Sequence, residues 1–478
     1  LINWGDIEGR FDPQNLKFFL EIKNEYAYTL MKIKKILLKD PMYGANEAGK
    51  ERTSEIQPRY IRITDIDDYG LLNSGMGATC ENIEEKYLLD NNDLLIARSG
   101  NTVGKSYLHK SSGETVKYIF AGYMIKFVVN SNISLPDYVF YYLQTNFFKN
   151  WKNATMRVAG QPNINAQEYK DMLIPIPPLE IQQQIVNIMD KAYSEKQEKE
   201  KEANDLRASI DEYLLNELGI VLPEQEDNTL ENRTFYTNAS DILGGRFDPR
   251  KYSNKVKKIF AAVNNSPISK ISLSQMITES VSGNWGFDEE EKDDSLIKCL
   301  TIRATEFDNR HNLKLDNSRV KYRKYPEYVF EKVRLSSNDI LIEKSGGSED
   351  QPVGRVAIID TDVLKSTGEY LVFSNFIHKV RINDNIVLPE YLFEYLTLIH
   401  SIKITEAMQT QTNGIRNLIM KEYFNQVVLV PDINIQHSIV NTIKTMRNKA
   451  IALENQAIQS VENAKTEVEK VLLGGESL

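Results

Sequence analysis

The sequence predicts an α+β protein: two similar mixed α/β domains separated by two long helices that form an antiparallel coiled coil. Three observations predict it. A set of short motifs occurs twice in the same order, and each copy ends in a helical seam of about 40 residues with heptad-like spacing. Between these landmarks the apolar residues fall in short strand-like runs bounded by Gly, Asn and Asp.

The doubling is the strongest of the three. Arg10-Phe11-Asp12-Pro13 recurs as Arg246-Phe247-Asp248-Pro249, and Asn92-Asp93-Leu94-Leu95-Ile96-Ala97-Arg98-Ser99-Gly100 recurs as Asn338-Asp339-Ile340-Leu341-Ile342-Glu343-Lys344-Ser345-Gly346. Between them Tyr43-Gly44 pairs with Trp285-Gly286, and Arg62-Ile63-Thr64-Asp65 with Arg303-Ala304-Thr305-Glu306. After them come Val103-Gly104-Lys105 against Val353-Gly354-Arg355, then Leu135-Pro136-Asp137-Tyr138 against Leu388-Pro389-Glu390-Tyr391. Ile181-Gln182 and Ile435-Gln436 close the copies. A period this long marks a tandem duplication of whole domains, so the expected plan is a first domain at 1–178, a central helix at 179–219, a linker at 220–245, a second domain at 246–432 and a C-terminal helix at 433–478.

Within a copy, Tyr60 to Ile66, Asp93 to Ala97 and Met124 to Val129 read as strands. A helix follows Pro136, with Tyr138, Tyr141 and Tyr142 expected in the core. The first long helix begins after Pro177-Pro178 and stops at Gly219, with apolar residues at 185, 189, 192, 203, 206, 210 and 213 and lysines at 196 and 199 in its middle. The second runs from Ile435 to about Leu472 with Ile439, Ile443, Met446, Ala450, Leu453, Ala457, Ala464 and Val468 on one face. Two such seams in one chain are most simply satisfied by each other, and binding of a partner through the same helices is the competing use.

Composition excludes several classes. The 478 residues are 41% apolar and 26% charged, enough apolar material for more than one core. No apolar run approaches the roughly 20 residues of a membrane span, and Leu1-Ile2-Asn3-Trp4 has neither a basic nor an apolar leader pattern. Only Cys80 and Cys299 are present, without a CxxC, which fits a reducing cytoplasm and two packing cysteines.

The net charge of −9 lies wholly in residues 179–245, with 6 basic and 15 acidic side chains, so both domain-sized blocks are neutral. Acidity therefore says little against nucleic acid binding by those blocks. From Arg310 to Arg334 eight basic residues stand against three acidic ones, interleaved with Tyr322, Tyr325 and Tyr328, a pattern that suits either a solvated strand or a phosphate-contacting face.

Motifs for catalysis are missing. The five histidines show no metal-ligand spacing, and there is no GxSxG elbow, GxGxxG loop or Asn-Pro-Pro-aromatic methyltransferase motif. Gly100 to Ser106 is one residue short of a phosphate-binding loop, and Tyr107 to Gly113 does not read as the helix that such a loop needs. The chain reads as a binder, not an enzyme, with no catalytic residue, no metal and no cofactor of its own.

At this point the residues resemble a known family. The doubled plan, the NDxLIxxSG followed by VG[KR], the LP[DE]Y helix start and above all Pro177-Pro178-Leu179-Glu180-Ile181-Gln182-Gln183-Gln184-Ile185-Val186 are similar to the DNA sequence-specificity (S) subunit of type I restriction-modification systems. The second copy departs from the pattern, with one proline and one glutamine in Pro431-Asp432-Ile433-Asn434-Ile435-Gln436-His437. The resemblance implies two target recognition domains, each reading one half of a bipartite double-stranded DNA site, with the paired helices as spacer. It further implies that the helices dock two methyltransferase subunits, which carry S-adenosylmethionine, that restriction translocase subunits join this core, and that the protein is cytoplasmic. The alternatives are the recognition subunit of another restriction or orphan methylation system, and a coiled-coil adaptor that binds no DNA.

Base readout needs bidentate donors on loops. In the first domain the candidates are Arg98, Ser99, Asn101 and Lys105, with Arg157, Gln161 and Asn163 of the loop before the last strand. In the second they are Lys344, Ser345, Ser348, Gln351 and Arg355, with Gln411, Thr412, Asn413 and Arg416 of the matching loop.

Overall fold

The computed structural model describes residues 26–111, 116–156, 162–224, 227, 229–242, 248–308, 313–315, 320–347, 352–367, 370–412 and 414–474. The chain divides into two compact units, one of Leu1–Lys201 with Ala452–Leu478, the other of Glu202–Ile451.

The first unit has strands β1 (Leu30–Lys32), β2 (Met42–Tyr43), β3 (Lys50–Glu51), β4 (Arg59–Ile61), β5 (Ala78–Thr79), β6 (Leu94–Ala97), β7 (Ser106–Leu108), β8 (Tyr118–Phe120), β9 (Met124–Phe127) and β10 (Leu173–Pro175). They form sheets of order β2-β9-β6-β7 and β3-β5-β4-β8, with β1 paired to β10. Helices α1 (Pro136–Tyr142) and α2 (Asn146–Thr155) precede the first long helix, α3 (Leu179–Glu217).

The second unit repeats this plan. Its strands are β11 (Lys270–Ser272), β12 (Ile277–Ser282), β13 (Phe287–Asp288), β14 (Ile297–Ile302), β15 (Lys321–Tyr325), β16 (Ile340–Glu343), β17 (Ser345–Gly346), β18 (Val356–Ile358), β19 (Leu371–Phe373), β20 (Ile377–Ile382), β21 (Gln409–Thr412), β22 (Ile415–Leu418) and β23 (Val427–Leu429). The sheets β12-β20-β16-β18 and β13-β15-β14-β19 and the pair β11-β23 match those of the first unit, and the sheet β17-β22-β21 has among the described residues of the first unit a single bridge, Ser99 to Asn163, at the place of β17-β22. Each second sheet holds one parallel pair at the same place, Ile61 opposite Phe120 and Ile302 opposite Phe373. Helix α4 (Pro389–Ser401) corresponds to α1, and α5 (Ile433–Leu472) is the second long helix. The fold class is therefore the expected one.

Each unit contains its own antiparallel stretch of the two long helices. In the first, Ile185, Met189 and Ala192 of α3 share a core cluster with Val461, Val468 and Leu472 of α5. In the second, Ile210, Leu214 and Leu218 join Ile439 and Ile443. Early residues of one helix thus meet late residues of the other. Leu214 is 1% exposed while Tyr213 is only half-buried, so the seam advances by four residues there, not three. Gly219 ends α3 with φ +61 and the Ile220 N–H bonded back to the Leu215 carbonyl, the left-handed stop that a glycine takes without strain.

The repeated motifs face inward. Arg62 and Arg303 each fork onto the carboxylate three residues on, with Arg62 Nη2 to Asp65 Oδ1 at 2.8 Å and Arg303 Nη2 to Glu306 Oε1 at 2.6 Å. Asn92 and Asn338 sit at φ 71° and 69°. The aspartate after each is buried and ion-paired, Asp93 with Lys126 at 3.1 Å and Asp339 with Arg381 at 2.8 Å. Tyr138 and Tyr391 donate to the carbonyls of Pro175 and Leu429, both at 2.6 Å, which ties α1 and α4 to the last strand of their units. Tyr141 and Tyr142 are buried as well. Both cysteines are free and buried.

Candidate nucleic-acid interface

In each unit the end of a central strand meets an aromatic corner and an asparagine. In the first, the Arg98 N–H donates to the Tyr123 carbonyl at 3.0 Å and the Arg98 carbonyl accepts from Ile164 N at 2.9 Å. Ser99 bridges Asn163 across the same place. In the second, the Lys344 N–H donates to the Phe376 carbonyl at 2.9 Å and its carbonyl accepts from Leu418 N at 2.7 Å. Ser345 pairs with Asn417, and its Oγ donates to Asn417 Oδ1 at 2.7 Å. Arg98 therefore corresponds to Lys344, Ser99 to Ser345, Tyr123 to Phe376 and Asn163 to Asn417.

This geometry corrects one pairing made from the letters. The Gly44 N–H reaches the Met124 carbonyl at 3.3 Å, and the Gly283 N–H reaches the Ile377 carbonyl at 3.1 Å. A Cβ on either glycine would lie 2.4 Å from the Phe120 and Ala121 oxygens or 2.1 Å from the Ser374 oxygen, so the chain passes there only without a side chain. The partner of Tyr43-Gly44 is Ser282-Gly283, three residues before the step that Trp285-Gly286 suggests. The basic side chains follow suit. The Arg98 guanidinium lies 4.7 Å from the centre of the Tyr43 ring, and Lys344 Nζ donates to Ser282 Oγ at 2.5 Å.

Arg98 uses Nε on the Gly122 carbonyl at 3.3 Å, and its terminal Nη groups make no hydrogen bond to any described residue. That leaves the two-pronged donor that suits a guanine edge. Burial holds the Lys344 ammonium below its usual range. Tyr123 and Phe376, 41% and 45% exposed, are large rings left facing solvent at matching positions. Sequence reasoning missed both, and Asn417 too. The signal was present in Ala121-Gly122-Tyr123-Met124 against Ser374-Asn375-Phe376-Ile377, where an aromatic precedes the strand in each copy.

Not every candidate belongs to this corner. Asn101 is exposed on the adjoining turn, but Lys105 Nζ reaches the Ile66 carbonyl at 2.8 Å and Asp68 at 3.1 Å. Arg355 is bound further in. It forks onto Glu343 with two contacts of 2.8 Å and donates to the carbonyls of Phe307 at 2.9 Å and Ala304 at 3.0 Å. The two basic residues of VG[KR] hold equivalent turns of their own domains. Gln411 is exposed opposite Arg416 in the β21–β22 hairpin, and Arg416 itself is buried. Arg157, Gln161, Ser348, Gln351 and Asn413 lie outside the described residues, as does the Thr412 side chain. In the basic stretch from 310 to 334, Tyr325 is fully buried, Tyr328 is exposed, and Arg323 lies over Trp285 at 4.7 Å.

Gly100 to Ser106 turns from β6 into its antiparallel partner β7, so a strand follows where a phosphate-binding loop would have a helix. Among the described residues no helix is long and apolar enough to cross a membrane.

Comparison with known proteins agrees with this architecture. The family model described as type I restriction modification DNA specificity domain matches residues 59–205 and 303–463, well over half of the chain. The specificity subunit of the type I restriction enzyme MjaVIII of Methanocaldococcus jannaschii is 30% identical over 121 residues. That alignment covers 25% of this chain and 26% of the relative, so the chain spans about a quarter of the relative's length. A solved chain from a structural study of complex assembly and conformational transition in the type I R-M system covers 94% of this chain and 98% of its own, with TM-score 0.50 and 13% identity, a likeness of fold. With two matched segments, one on each copy of the repeated motifs and its long helix, the chain belongs to the family of type I restriction modification DNA specificity domains.

Proposed function

We propose that this chain is the DNA sequence-specificity subunit of a type I restriction-modification complex. Each unit reads one half of a bipartite site in double-stranded DNA, and the chain itself performs no catalysis and binds no cofactor. The observation that carries this reading is the corner built twice from non-identical residues, with Arg98 against Tyr43 in one copy and Lys344 against Ser282 in the other. A scaffold kept constant around donors that differ is what two half-sites of different sequence need.

The proposed readers in the first unit are Arg98, Ser99, Asn101 and Asn163, joined by Tyr123 and by Arg157 and Gln161 of the neighbouring loop. In the second they are Lys344, Ser345, Gln411 and Asn417, joined by Phe376 and by Ser348, Gln351, Thr412 and Asn413, with buried Arg416 inside the hairpin that carries Gln411. Lys105 and Arg355 position the turns on which the readers sit. Helices α3 and α5, of 39 and 40 residues, set the half-site spacing and dock two methyltransferase subunits that bring S-adenosylmethionine, and restriction translocase subunits assemble on that core in the cytoplasm.

The test is methylation mapping by single-molecule sequencing in cells that express the chain with its neighbouring methyltransferase, beside a strain in which residues 246–432 are exchanged for another recognition domain. A bipartite motif whose second half alone changes is the expected result. A motif indifferent to the exchange, or no motif at all, would remove sequence readout from this chain.

A further inference from the structure

The turn from Gly100 to Lys105 forms one wall of a cleft of about 360 Å³ in the first unit, faced by helix α2. Gly104 makes the approach close. At φ 85°, a Cβ there would lie 2.7 Å from Lys152 Cδ and 3.1 Å from Phe148 Cε1, so the absence of a side chain lets the Lys152 stem lie across the turn.

Four ammonium groups line the cleft. Two are matched by carboxylates, Lys105 by Asp68 at 3.1 Å and Lys465 by Glu462 at 2.7 Å. The other two, Lys149 and Lys152, stand one turn apart on α2, and among the described residues neither has a carboxylate within ion-pair distance. Burial, and then the charge on Lys149, hold the Lys152 ammonium below its usual range. Lys149 is exposed at the mouth of the cleft and Lys152 half-buried within it. Two like charges one turn apart are relieved by an anion, and the surplus of two positive charges suits a phosphate group.

Among the described residues the corresponding turn of the second unit is built differently. Where Gly104 meets Lys152, Gly354 meets Thr405, in the short turn Ile404–Met408 whose sole lysine is Lys403 at its N-cap, so no pair of lysines one turn apart stands there. The cleft is thus a property of one domain, separate from the scaffold that both share. Its rim includes exposed Asn101, on the turn that also carries Ser99 of the reading corner.

We propose that Lys149 and Lys152 form a phosphate-binding site, and that its occupant is a backbone phosphodiester of the DNA lying on the first unit. The occupant rests on the DNA-reading proposal above, whereas the phosphate chemistry does not. A duplex seated on the corner brings its backbone past Asn101 to the cleft, where two ammonium groups close on one phosphate. The contact is blind to sequence: it fixes the register of the first half-site and adds affinity that salt weakens.

The experiment uses the full chain with its methyltransferase partner and compares wild type with the Lys149→Gln/Lys152→Gln double variant. DNA affinity is followed across a salt series on the mapped motif and on an unrelated duplex. The double variant should lose affinity for both duplexes alike, lower the slope of log K against log salt by about 1 to 2, and leave the methylated motif unchanged. Neutral methylphosphonate linkages placed one at a time along the first half-site should weaken wild type at one position and leave the double variant indifferent there. A thermal-shift titration with inorganic phosphate, without DNA, separates the sources: wild type should be stabilised and the variant not. Stabilisation by phosphate with an unchanged salt slope overturns the phosphodiester as occupant, and no difference in either arm overturns the site. If wild type fails to bind its mapped motif at all, the DNA reading falls, and the phosphate titration still decides the anion site.

Discussion

The Gln182 side-chain oxygen accepts the Leu135 backbone N–H at 2.8 Å, and Gln436 repeats the contact with Leu388 at 2.9 Å. The same two amides donate to the carbonyls of Pro177 at 2.8 Å and Pro431 at 2.9 Å. A single side chain thus joins the entry of each long helix to the entry of the helix after Leu-Pro, and the two most distinctive motifs of the sequence are halves of one joint. Both glutamines are buried, at 0% and 1% exposure.

Replacing Gln182 by alanine strands several buried polar groups, since Ser134 Oγ also donates to it. The cost expected is about 2–4 kcal/mol of the first unit's stability. Calorimetry should show the transition of that unit lowered, with Gln436→Ala acting on the other. A loss below the scatter of exposed substitutions would show that water replaces the amide there.

Arg355 gives a second test, because Glu343 beneath it is 1% exposed. Arg355→Met should cost about 3–5 kcal/mol by leaving a buried carboxylate without its partner, and Arg355→Met with Glu343→Leu should regain most of that. Denaturant unfolding of the three variants measures it. A double variant as unstable as the single one would mean that the carbonyls of Phe307 and Ala304, and not the ion pair, set the cost.

Stability of the second unit should depend on pH through His378. Burial, and then the nearby charge of Lys344, push its pKa down from 6.5 to about 4. Between those values the unfolded chain binds more protons than the folded one. The contribution is therefore complete above about pH 6.5 and is lost as pH falls toward 4. Allowing for its partial exposure, the swing is on the order of 1–3 kcal/mol. His378→Gln should flatten the unfolding profile across that window, and a profile of unchanged slope would place the dependence on other groups.

Substitution at the two corners should act on one half-site each. Arg98→Gln is expected to relax or change the first half of the methylated motif, and Lys344→Gln the second, each at about 1–3 kcal/mol of discrimination. Tyr123→Ala and Phe376→Ala should weaken binding with the same division. Methylation mapping reads all four, and any variant that altered both halves together would argue for a general effect on folding or assembly.

Sequence made the doubled plan and the long helices plain because both rest on local patterns: recurrent letters, helical spacing, prolines before a helix and a glycine after it. It was less telling about the corner. Tyr43-Gly44 was matched with an aromatic-glycine step by type, although strand register put its counterpart at Ser282-Gly283, and register comes from pairing with a distant strand. Asn163 likewise has its counterpart in Asn417, four residues beyond the asparagine that the loop suggested, since each pairs with the serine of its own copy, Ser99 or Ser345. The recurrent basic residue of VG[KR] illustrates the deeper reason. Letters recur where both copies need the same packing, so repetition drew attention to Lys105 and Arg355, which hold their own domains, and away from Tyr123 and Phe376.

The first unit takes Val461, Val468 and Leu472 into its core, and the Leu472 carbonyl accepts the Ala27 N–H at 3.1 Å. An earlier stretch of the chain is therefore completed by one made only after the whole second unit. During synthesis the second unit has all of its residues while the first still lacks the partner of its helix. A nonsense mutation just after Ile451 would spare the second unit and unmake the first, so the truncated chain would emerge with its later unit folded and its earlier one open to proteases.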